Sequence, residues 1–139
     1  MANVDAAIRA RLTANTTLLG LVSSRIYPDH APQNATYPLI VQQCVGVTRD
    51  QSINSVPTGL SQARQQLTCW GATPASAKSV AELVRVQLDG YRGTSTSANI
   101  MGCSLEMEVG VMDLSADNEA ARKYGRAMDF AIWFEESTT

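Results

Sequence analysis

Apolar residues recur at helical spacing at the start of the chain. Within Asn3 to Thr13, Val4, Ala7, Ile8 and Leu12 share one stripe, while Asp5, Arg9 and Thr13 fall elsewhere. Asn15, Thr16 and Thr17 then break the pattern and offer an N-cap to a single short turn through Leu18, Leu19, Leu21 and Val22. From Ser24 to Gln33, Pro28 and Pro32 exclude regular helix and bias their predecessors to extended conformations. That stretch reads as an ordered connector, with room for a short edge strand at Arg25 to Tyr27.

Beyond the connector the period changes. Pro38 opens a strand over Leu39 to Thr48, with Leu39, Val41, Val45 and Val47 on one face, interrupted by Gln43, and Ile40, Gln42, Cys44 and Gly46 on the other. Arg49 to Leu60, rich in turn formers (Asp50, Asn54, Ser55, Pro57, Gly59), reads as a long connection. A second strand, Gln62 to Gly71, sets Ala63, Gln65, Leu67 and Cys69 against Arg64, Gln66, Thr68 and Trp70. Thr73-Pro74 starts a helix with a capping hydroxyl and a proline where no N–H is missed. Its stripe is Ala77, Val80, Ala81, Val84 and Leu88, and Gly90 is placed to terminate it. After a polar loop over Arg92 to Asn99, Met101, Cys103, Leu105, Met107, Val109 and Val111 alternate with Gly102, Ser104, Glu106, Glu108 and Gly110, as a half-buried antiparallel strand does. A polar linker, Asp113 to Gly125, leads to a last strand, Arg126 to Glu135, with Met128, Phe130, Ile132 and Phe134 facing one way and Asp129, Ala131 and Trp133 the other.

The order helix, strand, strand, helix, strand, strand predicts one α+β domain over residues 1–139: an antiparallel sheet of about four strands with two helices packed on one face. Composition changes this picture little. The chain has 139 residues, 45% of them hydrophobic and 17% charged, enough apolar material for a real core. The formal net charge of −2 lacks the basic surplus that binding to free duplex requires. No apolar run approaches a membrane span, and the first residues lack the apolar core of a signal peptide. Cys44, Cys69 and Cys103 are odd in number and widely spaced, so they read as reduced thiols in or near the sheet of a protein that matures in a reducing cytoplasm.

Chemistry is sparse. The sequence holds no nucleophile elbow, phosphate loop or dinucleotide fingerprint, and a single histidine cannot complete a zinc site with these cysteines. Asp29-His30 offers an acid–base pair in principle, but a lone histidine on an ordered connector more often serves as a surface or capping group. Glu106 and Glu108 could suit a metal, but on the polar side of an amphipathic strand they more often meet solvent. We therefore expect no catalytic residue, no cofactor and no metal. The informative oddity is Trp70 and Trp133, which fall on the polar side of their strands or at its rim. Two explanations stay open: the N-terminal segment or the Arg25 to Tyr37 connector covers them, or they anchor a subunit or partner interface.

Several stretches resemble the tail-completion, or tail-terminator, proteins of long-tailed bacteriophages. Leu18-Leu19-Gly20-Leu21-Val22, Arg25-Ile26-Tyr27-Pro28, Ala31-Pro32-Gln33 and Tyr37-Pro38-Leu39-Ile40-Val41 are similar to the first half of that family. Gln66-Leu67-Thr68-Cys69-Trp70-Gly71 with Ala75 to Leu88 resembles its central strand and helix, and Met128 to Phe134 its closing strand. The resemblance implies a small α+β subunit that assembles as a ring, usually a hexamer, on the head-proximal end of the tail tube. There it would stop tube polymerisation and meet head-completion or connector proteins, with no catalytic residue to carry over. Its expected partners are other copies of itself, the tail tube protein and the head-completion protein. DNA would pass the lumen without specific binding.

Ring closure needs one patch to meet a different patch on the next copy. The open sheet edges and the Arg49 to Leu60 connection, with Arg49, Asp50 and Pro57, are candidates alongside Trp70 and Trp133. A face bearing Glu106, Glu108 and Asp129 is expected to line the lumen, where acidic walls would not hold phosphate. The alternatives are another neck or connector component of a phage, or a small non-viral ligand-binding α+β domain.

Overall fold

The computed structural model describes residues 4–29, 31, 36–51, 57–94, 99–112 and 123–135. Helix α1 (Val4–Thr13) buries the stripe Val4, Ala7, Ile8 and Leu12, as its periodicity requires. The expected single turn is a full short helix, α2 (Thr16–Val22). The Asn15 side chain caps it, accepting from the N–H groups of Thr17 at 3.0 Å and Leu18 at 3.1 Å. The connector does add an edge strand, β1 (Ile26–Pro28), which runs parallel to β2 (Leu39–Gln51).

Strand β3 (Pro57–Gly71) follows, then α3 (Pro74–Leu88). Thr73 caps α3 through its hydroxyl, which accepts from the Ser76 N–H at 3.1 Å, and Pro74 occupies the first turn. Ala77, Val80, Ala81, Val84 and Leu88 are all buried. Gly90 has φ +81°, the left-handed backbone that glycine supplies beyond a helix end. The two-residue β4 (Gly93–Thr94), β5 (Asn99–Met112) and β6 (Tyr124–Glu135) complete the described elements.

Among the described residues the sheet has six strands, in the order β1-β2-β3-β6-β5-β4. Its body is four long antiparallel strands, β2, β3, β6 and β5, as expected; the additions are two short strands at the rims. The three described helices join one core on one face of the sheet, where Leu67, Met128, Phe130 and Ile132 are fully buried beneath Ile8, Leu12, Val84 and Leu88. The architecture is α+β in two layers.

Two features depart from the expected pattern. The hairpin of β2 and β3 is longer than expected, because pairing continues from Arg49 opposite Ser61 to Gln51 opposite Pro57. Arg49, Asp50 and Pro57 therefore belong to strands. Proline is tolerated there as the first residue of a strand. Irregularities also break the alternation: β2 shifts register between Cys44 and Gly46, and β5 between Ile100 and Gly102 and again between Leu105 and Met107. Each extra residue passes the following side chains to the other face.

Candidate assembly surfaces

The helix-facing side of the sheet is sealed at its centre by a polar clasp. Gln65 is completely buried among apolar neighbours, and its amide donates to the Asp5 carboxylate at the start of α1. The Gln42 amide donates to the Asp5 carbonyl at 2.9 Å and reaches the Gln65 carbonyl at 3.4 Å. A buried amide left without partners would cost about 1–3 kcal/mol, so this network fixes α1 on β2 and β3. At the other end of α1, the Gln87 amide donates to the Arg11 carbonyl at 2.8 Å, and the Arg11 guanidinium lies 4.4 Å from the centre of the Tyr91 ring. The scaffold behind the sheet is tied at both ends.

The opposite side carries no helix among the described residues. Two cross-strand rows there each set a tryptophan over a glycine. Leu39, Trp70, Gly125 and Val111 are mutually paired across β2, β3, β6 and β5. A Cβ built on Gly125 would lie 2.9 Å from both the Trp70 ring and the Val111 side chain, so only glycine allows the indole to lie flat across the strand. In the second row Gln62, Trp133 and Gly102 are paired, with the Trp133 ring 3.8 Å from the position of a Gly102 Cβ. Both indoles are half-buried and both face away from the helices. Helix α1, one of the two segments expected to cover them, packs on the other side. The connector partly lies outside the described residues, at 30 and 32–35.

The acidic residues do not form one wall. Beyond the second shift of β5, Met107 sits opposite Asp129, and Glu108 opposite Met128. Glu108 is thereby turned to the helix side of the sheet, where it pairs with Arg126. Asp129 stays on the far side and pairs with Arg64, and Glu106 falls at the irregularity itself, exposed. The expectation that Glu106, Glu108 and Asp129 share a face is corrected by this register. What the far side shows instead is apolar: Met107 is 60% exposed and Val109 44%.

Among the described residues the β2–β3 hairpin also outreaches the sheet, because β6 pairs as far as Leu60 opposite Glu135 while β2 and β3 continue to Gln51 and Pro57. It is a two-stranded arm. The backbones of Arg49, Asp50 and Pro57 lie in it, and their side chains are outside what the structure describes. Elsewhere, a groove of about 330 Å³ separates the start of α3 from the ends of β5 and β6, lined by Pro74, Lys78, Met112, Tyr124 and Arg126 among others. All three cysteines are free: Cys69 and Cys103 buried, Cys44 exposed. Burial pushes the Cys69 and Cys103 thiols up to about 12, helped by Glu108 and Asp89 respectively, so neither is a nucleophile at neutral pH. Cys44 is also raised, by partial burial first and then by Asp5. No group of three or more potential metal ligands occurs among the described residues, and His30 lies outside them. No described helix is long and apolar enough to cross a membrane.

The fold is thus a two-layer α+β domain whose far sheet face carries no helix among the described residues. The sequence matches the family described as "Tail completion protein gp17" over residues 6–132, nearly the whole chain, and the chain belongs to that family. It is thus a structural protein of the bacteriophage tail. No curated protein matches the chain. Among solved structures, a chain from "Virion of native gene transfer agent (GTA) particle" has the same fold, with TM-score 0.68, 16% identity and 94% of this chain matched to 93% of that one.

Proposed function

We propose that the chain closes into a ring, with six copies the expected number, at the head-proximal end of the tail tube. There it ends tube growth and receives the head-completion protein. The observation that carries this reading is the family match over residues 6–132, joined to a sheet face on which Met107 and Val109 are exposed and Trp70 and Trp133 are only half-buried. Partly exposed tryptophans beside exposed aliphatic side chains are the composition of a protein interface, not of a solvated face. The arm carrying Arg49, Asp50 and Pro57 reaches a neighbouring copy or the tube. Glu108 and Asp129 are each matched by an arginine, and the net charge is −2, so DNA crosses the ring without a basic surface to hold it.

The reading is tested by adding the purified chain to polymerising tube protein and following tube length by electron microscopy. Addition is expected to yield tubes capped at one end and unable to grow there. Tubes that elongate unchanged, with the chain bound nowhere or along their sides, would refute it. Shortening the arm between Asp50 and Thr58 should leave the fold intact and abolish attachment; attachment retained by that variant would put the contact elsewhere.

A further inference from the structure

We infer that copies of this chain join edge to edge, with β5 from Glu106 to Met112 of one copy adding to β2 from Gln43 to Gln51 of the next. This deepens the ring reading and rests on it.

The backbone supplies the first argument. The Cys103 carbonyl accepts from the Gly90 N–H at 2.7 Å, and the Leu105 N–H donates to the Asp89 carboxylate at 3.1 Å, so both residues turn their polar groups away from β6. In an antiparallel pair that direction alternates. Carried past the irregularity by the pairing of Met107 with Asp129, it turns Glu108, Gly110 and Met112 outward as well. On β2 the Ile40 N–H donates to the Arg25 carbonyl and the Gln42 carbonyl accepts from the Asp29 N–H, both at 2.9 Å. The same alternation, past the shift at Val45, turns Val47 and Arg49 outward. Among the described residues no strand pairs with either stretch.

Side chains agree. Of the nine exposed large apolar residues among those described, six (Val45, Val47, Met101, Met107, Val109 and Met112) lie on these two strands. Neither open stretch carries a lysine or an interior proline, two common guards of a strand edge.

Direction and offset select the partner. The four long strands alternate, so β2 and β5 run opposite ways. A next copy placed by rotation, without inversion, therefore sets its β2 antiparallel to β5. Level pairing is blocked, since β1 covers the Ile40 to Gln42 stretch and the Asp89–Gly90 turn covers Cys103 to Leu105. The open stretches lie toward opposite ends of the sheet, so the copies meet with a stagger along the strands, as a sheet closing on itself requires.

Gly110→Pro and Val47→Pro each remove one outward N–H and no bond to the chain's own sheet. Circular dichroism and thermal melting confirm folding; Met112→Lys and Val47→Lys, at exposed positions, replace any proline variant that does not fold. Native mass spectrometry of each variant alone should show loss of rings and only monomer. Mixed, a β5 variant and a β2 variant should form a one-to-one heterodimer that grows no further, because each supplies the edge the other lacks. Wild-type rings with both variants equally able to form them would overturn edge pairing and leave the ring reading standing. A β2 variant that dimerises with itself would replace the proposal with a two-fold β5–β5 contact. Wild-type protein that stays monomeric at every concentration would overturn both.

Discussion

Replacing Trp133 by alanine separates folding from assembly. Trp133 is half-buried on the sheet face away from the helices, paired with Gln62 on β3 and Gly102 on β5. A fully buried tryptophan truncated to alanine costs about 3–5 kcal/mol. Because Trp133 is only half-buried, Trp133→Ala should cost folding about 1–2 kcal/mol, a fall in melting temperature of about 4–8 °C. As a reference, Phe130→Ala removes a ring with no exposed surface from the centre of the core and should cost about 3–5 kcal/mol. An interface anchor contributes about 2 kcal/mol or more, so the same Trp133 change should weaken whichever contact the sheet face makes in the assembly about 30-fold. Urea denaturation gives the folding cost, and sedimentation velocity over a concentration series gives the association. The reasoning is refuted if Trp133→Ala loses more than about 3 kcal/mol of folding stability while folded protein assembles like wild type. Trp133 would then belong to the packing of the single chain.

Two further perturbations probe the scaffold. Gly125→Ala drives a methyl group to 2.9 Å from the Trp70 ring and the Val111 side chain; overpacking of this kind should cost about 1–3 kcal/mol by urea denaturation, and an unchanged midpoint would mean the indole moves aside freely. Thiol labelling of the folded protein at pH 8 should modify Cys44 alone. Because the Cys69 and Cys103 thiols are held up to about 12 against an ordinary value of 9.0, the unfolded chain loses those protons first; stability should hold below pH 9 and fall as pH rises toward 12. Flat stability across that range, or labelling of all three cysteines at pH 8, would contradict their burial.

The parts of this fold that were legible in the sequence are those that repeat. The stripes of α1 and α3 needed only the helical period, and Asn15, Thr73 and Gly90 marked the start of α2 and the two ends of α3. The inward faces of β3 and β6 needed only strict alternation, which also put Trp70 and Trp133 on the far side. What escaped was local or relational. An extra residue at Glu106 has no compositional signal, yet it turns Glu108 to the helix side and separates it from Asp129. Asp50, Pro57 and Gly59 favour turns, but cross-strand pairing overrides that preference and extends the hairpin into an arm. Gln65 stood among Ala63, Leu67 and Cys69 on a buried stripe, a visible sign of a buried amide; its partners Asp5 and Gln42 lie far off in sequence and emerge only when α1 docks. The family resemblance succeeded for a related reason: it rests on the order of whole elements, which single irregularities do not disturb.

In the proposed ring, copies of this chain close on one another around an axis. Mass measurement of the wild-type protein under native conditions, across a concentration series, tests it most directly. A closed ring should give one dominant species at six times 14.9 kDa that disperses to monomer on dilution, with no open-ended ladder above it. A chain that remains at 14.9 kDa throughout, or one that polymerises without limit, would contradict it.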